Sequence, residues 1–369
     1  MHKQAYKQIV GWDVGGAHLK AALLRDGKLQ QVIQVPCALW RGLNELESAI
    51  DEVINAFDIV KDEALQAITM TGELVDLFNN RQQGVTAISS VMNAQLSGEK
   101  IFFAGHESGF NFVSIDGIPN YWQSIASANW LASASYIACE LKNLDDAANA
   151  LLIDIGSTTT DFIAIQNGKP QCLGLTDASR LQTEELVYTG VVRTPLMALA
   201  QKISFDGYMT TVVAEYFATM ADVYRITGDL KEADDMADTA DGKEKTLEAS
   251  TRRLARMIGH DADDKDLTAW IALADAFKRV QLERLTEVAQ KHLARIGFAE
   301  NNMIIGAGAG KFLVEEIAKR LGLTYRDSTS LFENQLNNNP QQIEYKANVC
   351  LPAYAVAYLA LNAVRMSIE

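Results

Sequence analysis

Two short loops carry the residue types that chemistry at a phosphate needs. The first, Asp13-Val14-Gly15-Gly16-Ala17-His18-Leu19-Lys20, follows an apolar run with an aspartate and turns on two glycines. The second, Asp154-Ile155-Gly156-Ser157-Thr158-Thr159-Thr160-Asp161, repeats the plan with one glycine and a row of hydroxyls. Without a Cβ, Gly15, Gly16 and Gly156 let the backbone turn sharply enough for amides to converge on an anion. Ser157, Thr158, Thr159 and Thr160 add hydroxyl donors. Asp13 and Asp154 suit a hydrated magnesium ion beside phosphates, a role that needs only one or two carboxylates. Lys20 can meet a bound phosphate as a point charge, whereas the matching position of the second loop is Asp161. Asp13, Lys20 and Asp154 are therefore the expected catalytic residues. A glycine hairpin in an ordinary β-protein and an exposed strand lysine are the plain alternatives, and one loop alone would not exclude them.

Three further segments are polar or glycine-rich where packing alone does not ask for it. In Met303-Ile304-Ile305-Gly306-Ala307-Gly308-Ala309-Gly310 the glycines follow an apolar run and precede a helix, so Gly306, Gly308 and Gly310 are candidate phosphate contacts at a helix N-terminus. The spacing is not GxGxxG, and a dinucleotide fold is rejected. Thr71-Gly72-Glu73-Leu74-Val75-Asp76 with Arg81, and the stretch from Glu185 to Pro195, supply candidate substrate contacts in Thr71, Glu73, Arg81 and Arg193, the arginines being suited to a carboxylate or a diphosphate. His18 reads as a hydrogen-bonding loop residue, since no partner carboxylate is fixed for it.

The elements that must position these residues come in two copies. Ile9–Val35 and Leu151–Leu175 each read as strand, glycine loop, strand, tight turn, strand, with Asp26-Gly27 and Asn167-Gly168 as the turns. The turn begins thirteen residues beyond the aspartate in both, which argues for duplication. Between and after them, apolar spacing predicts helices over 42–57, 124–141, 209–226 and 267–296, a strand over 64–70, and a last helix over 347–366 with Ala353, Ala357, Ala360 and Val364 on a small-residue face. The acidic run 229–266 reads as a solvated helical insertion without the spacing of a calcium loop, and 328–342 as a connector.

Composition narrows the classes. The 369 residues suffice for two domains, expected here as 1–147 plus 348–369 and 148–347. A formal charge of −14 argues against nucleic acid and anionic membrane as partners, leaving small-molecule substrates, with a homo-oligomer left open. No apolar run reaches bilayer length and the start lacks a signal-peptide pattern, so the expected location is cytoplasmic. The four cysteines are scattered without a CxxC pair, which suggests neither a disulfide framework nor a zinc site.

The paired aspartate loops, the third glycine loop and the returning last helix resemble the actin, sugar-kinase and Hsp70-type ATPase fold. Within it, TGELVD with Arg81, DIGSTTTD, ELVYTGVVRTP and TADGKEKTLEASTRRLARMIGHD resemble the hydantoinase A/oxoprolinase branch. The likeness is to its tetrahydromethanopterin-linked one-carbon transfer proteins of methylotrophic bacteria and the methanogen furan-methanamine synthase of methanofuran biosynthesis. It extends over nearly the whole chain. The resemblance implies a duplicated, ribonuclease H-like α/β fold with two lobes around a cleft and magnesium-dependent binding of diphosphate by the two loops. It also implies a condensation in which the phenol of a glutamylated tyramine displaces diphosphate from an aminomethyl-furan methyl diphosphate, giving an aryl ether. The alternatives are an ATP-dependent kinase or amidohydrolase of the same fold, and a non-catalytic nucleotide-binding assembly factor; ATP belongs to those readings only.

Overall fold

The apolar run before Asp13 is strand β1 (Gln8–Val14), buried along its whole length. It pairs antiparallel with β2 (His18–Arg25), which returns into β3 (Lys28–Pro36) through Asp26 and Gly27 at φ 50° and 76°, the two left-handed positions of a tight hairpin turn. On its other side β1 runs parallel to β4 (Ala64–Met70), followed by β5 (Glu99–His106) and β6 (Gly109–Ser114), so the sheet order is β3-β2-β1-β4-β5-β6. The computed structural model describes residues 6–57, 59, 64–144, 149–297, 302–331 and 349–368. Most of the connector expected over 328–342 and the start of the last helix lie outside them.

The second copy repeats the plan. Strands β7 (Ala150–Ile155), β8 (Thr160–Gln166) and β9 (Lys169–Gln171) turn at Asn167 and Gly168 with φ 52° and 67°. With β10 (Leu186–Val187), β13 (Met303–Ala307) and β14 (Thr324–Asp327) they form a sheet in the order β10-β8-β7-β13-β14, with β9 on β8 and β13 parallel to β7. A hairpin of β11 (Lys202–Phe205) and β12 (Tyr208–Thr211) stands apart. Two sheets with a hairpin strand on one side of the central strand and a parallel strand on the other are the duplicated, ribonuclease H-like core of the actin-like ATPase fold. The chain divides into two compact units, Met1–Asn149 with Ile163–Glu185 and Asp327–Glu369, and Ala150–Phe162 with Leu186–Arg326.

In the first unit, helix α1 (Leu43–Phe57) turns Leu46, Ile50, Val53 and Phe57 onto the sheet, where Trp12, Leu19, Ile68 and Phe102 are buried with them. Helix α2 (Arg81–Gln95) is capped by the Asn80 side chain. The helix expected over 124–141 is broken: α3 (Ile118–Ile125) stops, Ser127 takes a left-handed φ of 51°, and α4 (Asn129–Leu144) begins anew. Ser and Asn compete with the helix by bonding nearby backbone or side chains, and here their side chains are engaged outside the helix. Helix α5 (Asp177–Thr183) completes this part of the chain. The last helix, α11 (Leu351–Ile368), lies on the small-residue face foreseen for it, with Ala353, Ala357 and Ala360 fully buried. Gly11 of β1 makes that approach possible, because a Cβ there would sit 1.9 Å from the Ala353 carbonyl oxygen and 2.9 Å from the Ala357 Cβ. Gly11→Ala is expected to force the helix off the sheet and lower stability by about 1–3 kcal/mol, as overpacking does. A thermal midpoint equal to that of wild type would show that the helix rides on the sheet more loosely than this.

The second unit holds α6 (Leu196–Leu199), α7 (Met220–Thr227), α8 (Leu247–Arg256), α9 (Leu267–Arg295) and α10 (Lys311–Leu321). Two expectations are corrected there. The helix predicted over 209–226 starts only at Met220, behind a Thr219–Asp222 capping box, because Asp206 and Gly207 at φ 49° and 81° make a tight turn and put 208–211 into β12. The acidic run is a solvated insertion only in part: Asp235 is buried, whereas Asp238, Asp261, Asp263, Asp264 and Asp266 are exposed. Buried Asp222 accepts from Arg225 Nη1 and Arg253 Nε at 2.8 Å each, and the two arginines continue to Asp235 (2.6 Å) and Asp241 (3.1 Å). Buried guanidinium groups need anionic partners, and the run supplies them.

Candidate active site

The seven-residue spacing of Asp13 and Lys20 becomes direct opposition across the β1–β2 hairpin, with Lys20 Nζ 3.9 Å from Asp13 Oδ2. Asp13 is 3% exposed, and Asn129 at the start of α4 donates to its Oδ1 at 3.4 Å. Burial pushes the Asp13 carboxyl above its ordinary range, against the lowering pull of Lys20 and Asn129. The carboxylate is thus short of positive charge.

The glycine loops close in the same way in both units. Gly15 N–H donates to the His18 carbonyl at 3.0 Å and Gly156 N–H to the Thr159 carbonyl at 2.9 Å. These two amides hold the turns and do not face an anion, which corrects their expected role and leaves Gly16, Ser157 and Thr158 as the loops' candidate amide donors. Gly16 is tightly approached, since a Cβ there would lie 2.7 Å from Val75 Cγ1. The Thr71 N–H donates to the Val14 carbonyl at 2.9 Å and fastens the Thr71–Glu73 turn beside the first loop.

Glu73 was expected at a substrate, but it is 1% exposed. Its Oε1 accepts the Ser127 hydroxyl at 2.6 Å, and its Oε2 has no hydrogen-bond partner among the described residues. Burial pushes its carboxyl up to about 7, with Asp177 adding to the rise and Ser127 and Arg81 opposing it. Arg81 is already paired, donating to Asp177 Oδ2 at 2.9 Å. Nearby, Arg180 stacks over Trp130 at 3.8 Å, and Glu185 accepts the backbone N–H groups of Leu173 and Gly174.

In the second unit Asp154 lies near the end of β7, against Gly308. A Cβ on Gly308, at φ 79°, would fall 2.4 Å from Asp154 Oδ1 and 2.4 Å from the Ile155 carbonyl, so only glycine fits. The other two glycines of that run are structural, contrary to expectation. Gly306 is inside β13 with the Tyr325 ring where its Cβ would be, and the Gly310 N–H donates to the Ile155 carbonyl at 2.8 Å. Thr160 is also corrected: it is fully buried and gives its hydroxyl hydrogen to the Thr189 carbonyl at 2.6 Å. Asp161 stays on β8, paired in register with Leu186.

The second loop is held from below by the Thr189–Thr194 turn. Val191 N–H donates to the Gly156 carbonyl, and Val192 and Arg193 N–H to the Ser157 carbonyl, at 2.9–3.1 Å. Arg193 thus fixes the loop through its backbone while its side chain is exposed. Gln281 of α9 braces the turn by donating to Thr189 Oγ1 (2.7 Å) and the Gly190 carbonyl (3.0 Å), and accepts the Tyr224 hydroxyl. Sequence reasoning missed Asn129, Ser127, Asp177 and Gln281. Asn129 and Ser127 had a weak signal as cap-forming residues within an alanine-rich helix; Asp177 and Gln281 had none, because their partners are distant in the chain.

Among the described residues no cluster of three or more His, Cys, Asp or Glu forms a metal cage, and no helix is long and apolar enough to cross a membrane. The strand order of the two sheets and the two aspartate-headed loops are those of the actin-like ATPase fold. A solved structure of nucleotide-free acetone carboxylase covers 95% of this chain and 70% of its own at a TM-score of 0.59 and 9% identity, a likeness of fold alone. Residues 64–330 match the hydantoinase/oxoprolinase family, to which this chain belongs. Two curated relatives carry the name (4-{4-[2-(gamma-L-glutamylamino)ethyl]phenoxymethyl}furan-2-yl)methanamine synthase. That of Methanocaldococcus jannaschii is 29% identical over 309 residues, covering 84% of this chain and 88% of the relative. That of Methanococcus vannielii is 30% identical over 221 residues, covering 60% and 94%.

Proposed function

We propose that this protein is a transferase of methanofuran-type cofactor biosynthesis that joins a γ-glutamylated tyramine to an aminomethyl-furan methyl diphosphate. The relatives' name describes a phenoxymethyl-furan product, that is, an aryl ether at a furfuryl carbon. In the proposed step the phenol oxygen forms the new C–O bond, the bond to diphosphate breaks, diphosphate leaves with the electron pair, and the phenol proton is released. Delocalisation into the furan stabilises positive charge at the reacting carbon, so the main demand on the protein is to neutralise the departing diphosphate. The observation that carries the reading is the Lys20–Asp13 opposition beside the first glycine loop, a cation and an ion-binding carboxylate where the leaving group's charge would develop.

The residues suit a magnesium ion. Asp13 offers a desolvated hard-oxygen donor whose cationic neighbour stands at 3.9 Å, and in the second unit the half-buried Asp154 offers a carboxylate beside Gly308. When bound, the ion would neutralise diphosphate charge. In the first unit Gly16, and in the second Ser157, Thr158 and Thr159, are each suited to donate to phosphate oxygens, and exposed Arg193 is suited to the glutamyl carboxylate of the phenol. On this reading Arg193→Ala raises the phenol's KM roughly tenfold or more with kcat little changed, the signature of lost substrate binding. An unchanged KM would remove Arg193 from the substrate site.

The test is to incubate the protein and magnesium with both substrates and follow diphosphate release together with the ether by mass spectrometry. Equal amounts of the two products are expected, with loss of both in excess chelator. Hydrolysis of ATP without ether formation would replace this reading with a kinase or amidohydrolase of the same fold.

A further inference from the structure

Glu73, Ser127 and Asp177 stand in one chain of contacts that the diphosphate chemistry does not use. Ser127 Oγ lies 2.6 Å from Glu73 Oε1 and 3.5 Å from Asp177 Oδ2, so a single hydroxyl spans two carboxylates. Arg81 pairs with Asp177 Oδ2 at 2.9 Å at the outer end of the chain, and the buried Glu73 closes its inner end. The burial is graded. Glu73 and Ser127 are 1% and 3% exposed, whereas the side chains of Asp177 and Arg81 are 13% and 29% exposed, so the outer end can meet a ligand and the inner end is dry. Ser127 sits at a left-handed φ of 51°, a strained position for a serine, and it is this kink that delivers its hydroxyl. The cluster borders the proposed chemistry, because the Thr71–Glu73 turn is bonded to the end of β1 and Asn129, two residues from Ser127, donates to Asp13.

We propose that Glu73, Ser127 and Asp177 form a proton-sharing couple that takes up the proton of the incoming phenol. The inference rests on the ether-forming reading above. Asp177 accepts the hydrogen of the phenol hydroxyl, and the electron pair left on the phenol oxygen makes the C–O bond. The proton on Asp177 passes to the Ser127 oxygen as the Ser127 hydrogen passes to Glu73 Oε1, so the couple ends with a neutral Glu73 and an ionised Asp177. Water removes the proton after product leaves. A phenol is a weak acid, and a base that titrates near neutrality, as burial and Asp177 make Glu73 do, is matched to the task. Asp177 touches the substrate; Glu73 and Ser127 act through it, and among the described residues Arg81 is the cation whose charge acts on Glu73.

Two readouts separate this from a structural role. The infrared band of a protonated carboxyl, recorded across neutral pH as wild type minus Glu73→Gln, is expected to vanish as the pH rises through about 7. In wild type kcat is expected to fall as the pH drops through the same range, because a protonated Glu73 cannot accept. In Glu73→Gln and in Ser127→Ala that limb disappears and kcat at neutral pH falls roughly tenfold or more, with diphosphate affinity by calorimetry unchanged. Absence of a band titrating near neutrality, or a wild-type pH profile in Glu73→Gln, overturns the couple while ether formation still stands. A titrating band in a wild-type protein that makes no ether overturns the functional reading and with it the phenol as proton donor.

Discussion

Lys20→Ala is expected to lower kcat by roughly a hundredfold or more while changing KM little. Its ammonium stands opposite the buried Asp13 on the same hairpin, next to the loop proposed to hold the leaving group. Charge on a departing diphosphate grows as the bond breaks, so a cation there stabilises the transition state more than the bound substrate. Each factor of ten in rate is about 1.4 kcal/mol, and removal of one such contact from a low-dielectric site costs about 2.7 kcal/mol or more. Single-turnover measurements with the furfuryl diphosphate separate chemistry from product release. A variant that keeps the wild-type single-turnover rate, or loses only affinity, would show that Lys20 serves to neutralise Asp13 and not the leaving group.

Asp222→Ala is expected to be the most destabilising single change in the second unit, at about 3–5 kcal/mol. Asp222 is fully buried and accepts from two arginines at 2.8 Å, one of which, Arg253, is itself 1% exposed. Its other oxygen accepts the Thr219 N–H at 3.1 Å and completes the cap of α7. Removal leaves two guanidinium groups with less anion than their burial requires and takes away a cap worth about 1 kcal/mol. Asp222→Asn keeps a cap acceptor without the charge and should fall between. Urea midpoints for the three proteins decide it. A loss under about 1 kcal/mol in Asp222→Ala would mean that Asp235 and Asp241 compensate by themselves.

What the residues alone determined is local and periodic. The two strand–loop–strand units, their tight turns at Asp26-Gly27 and Asn167-Gly168, the long helix from Leu267 and the small-residue face of the last helix follow from side-chain period and from the left-handed freedom of Gly and Asn. The opposition of Asp13 and Lys20 was implicit in the hairpin, since an antiparallel register pairs residues at equal distance from the turn. The hairpin over 202–211 was also legible at Asp206-Gly207 but was outweighed by apolar spacing that fits a helix equally well over a short window. The tertiary structure alone decided which glycine amides face outward, because the acceptors of Gly15, Gly156 and Gly310 depend on how each loop closes. It alone brought Asp235 and Asp241 of the acidic run onto Arg225 and Arg253 and set Glu73 beside Ser127 and Asp177, residues 54 and 104 positions away. Contacts at that separation leave no periodic mark in a single sequence. They arise when packing removes water from a charge and the nearest polar side chain, however remote in the chain, has to replace it.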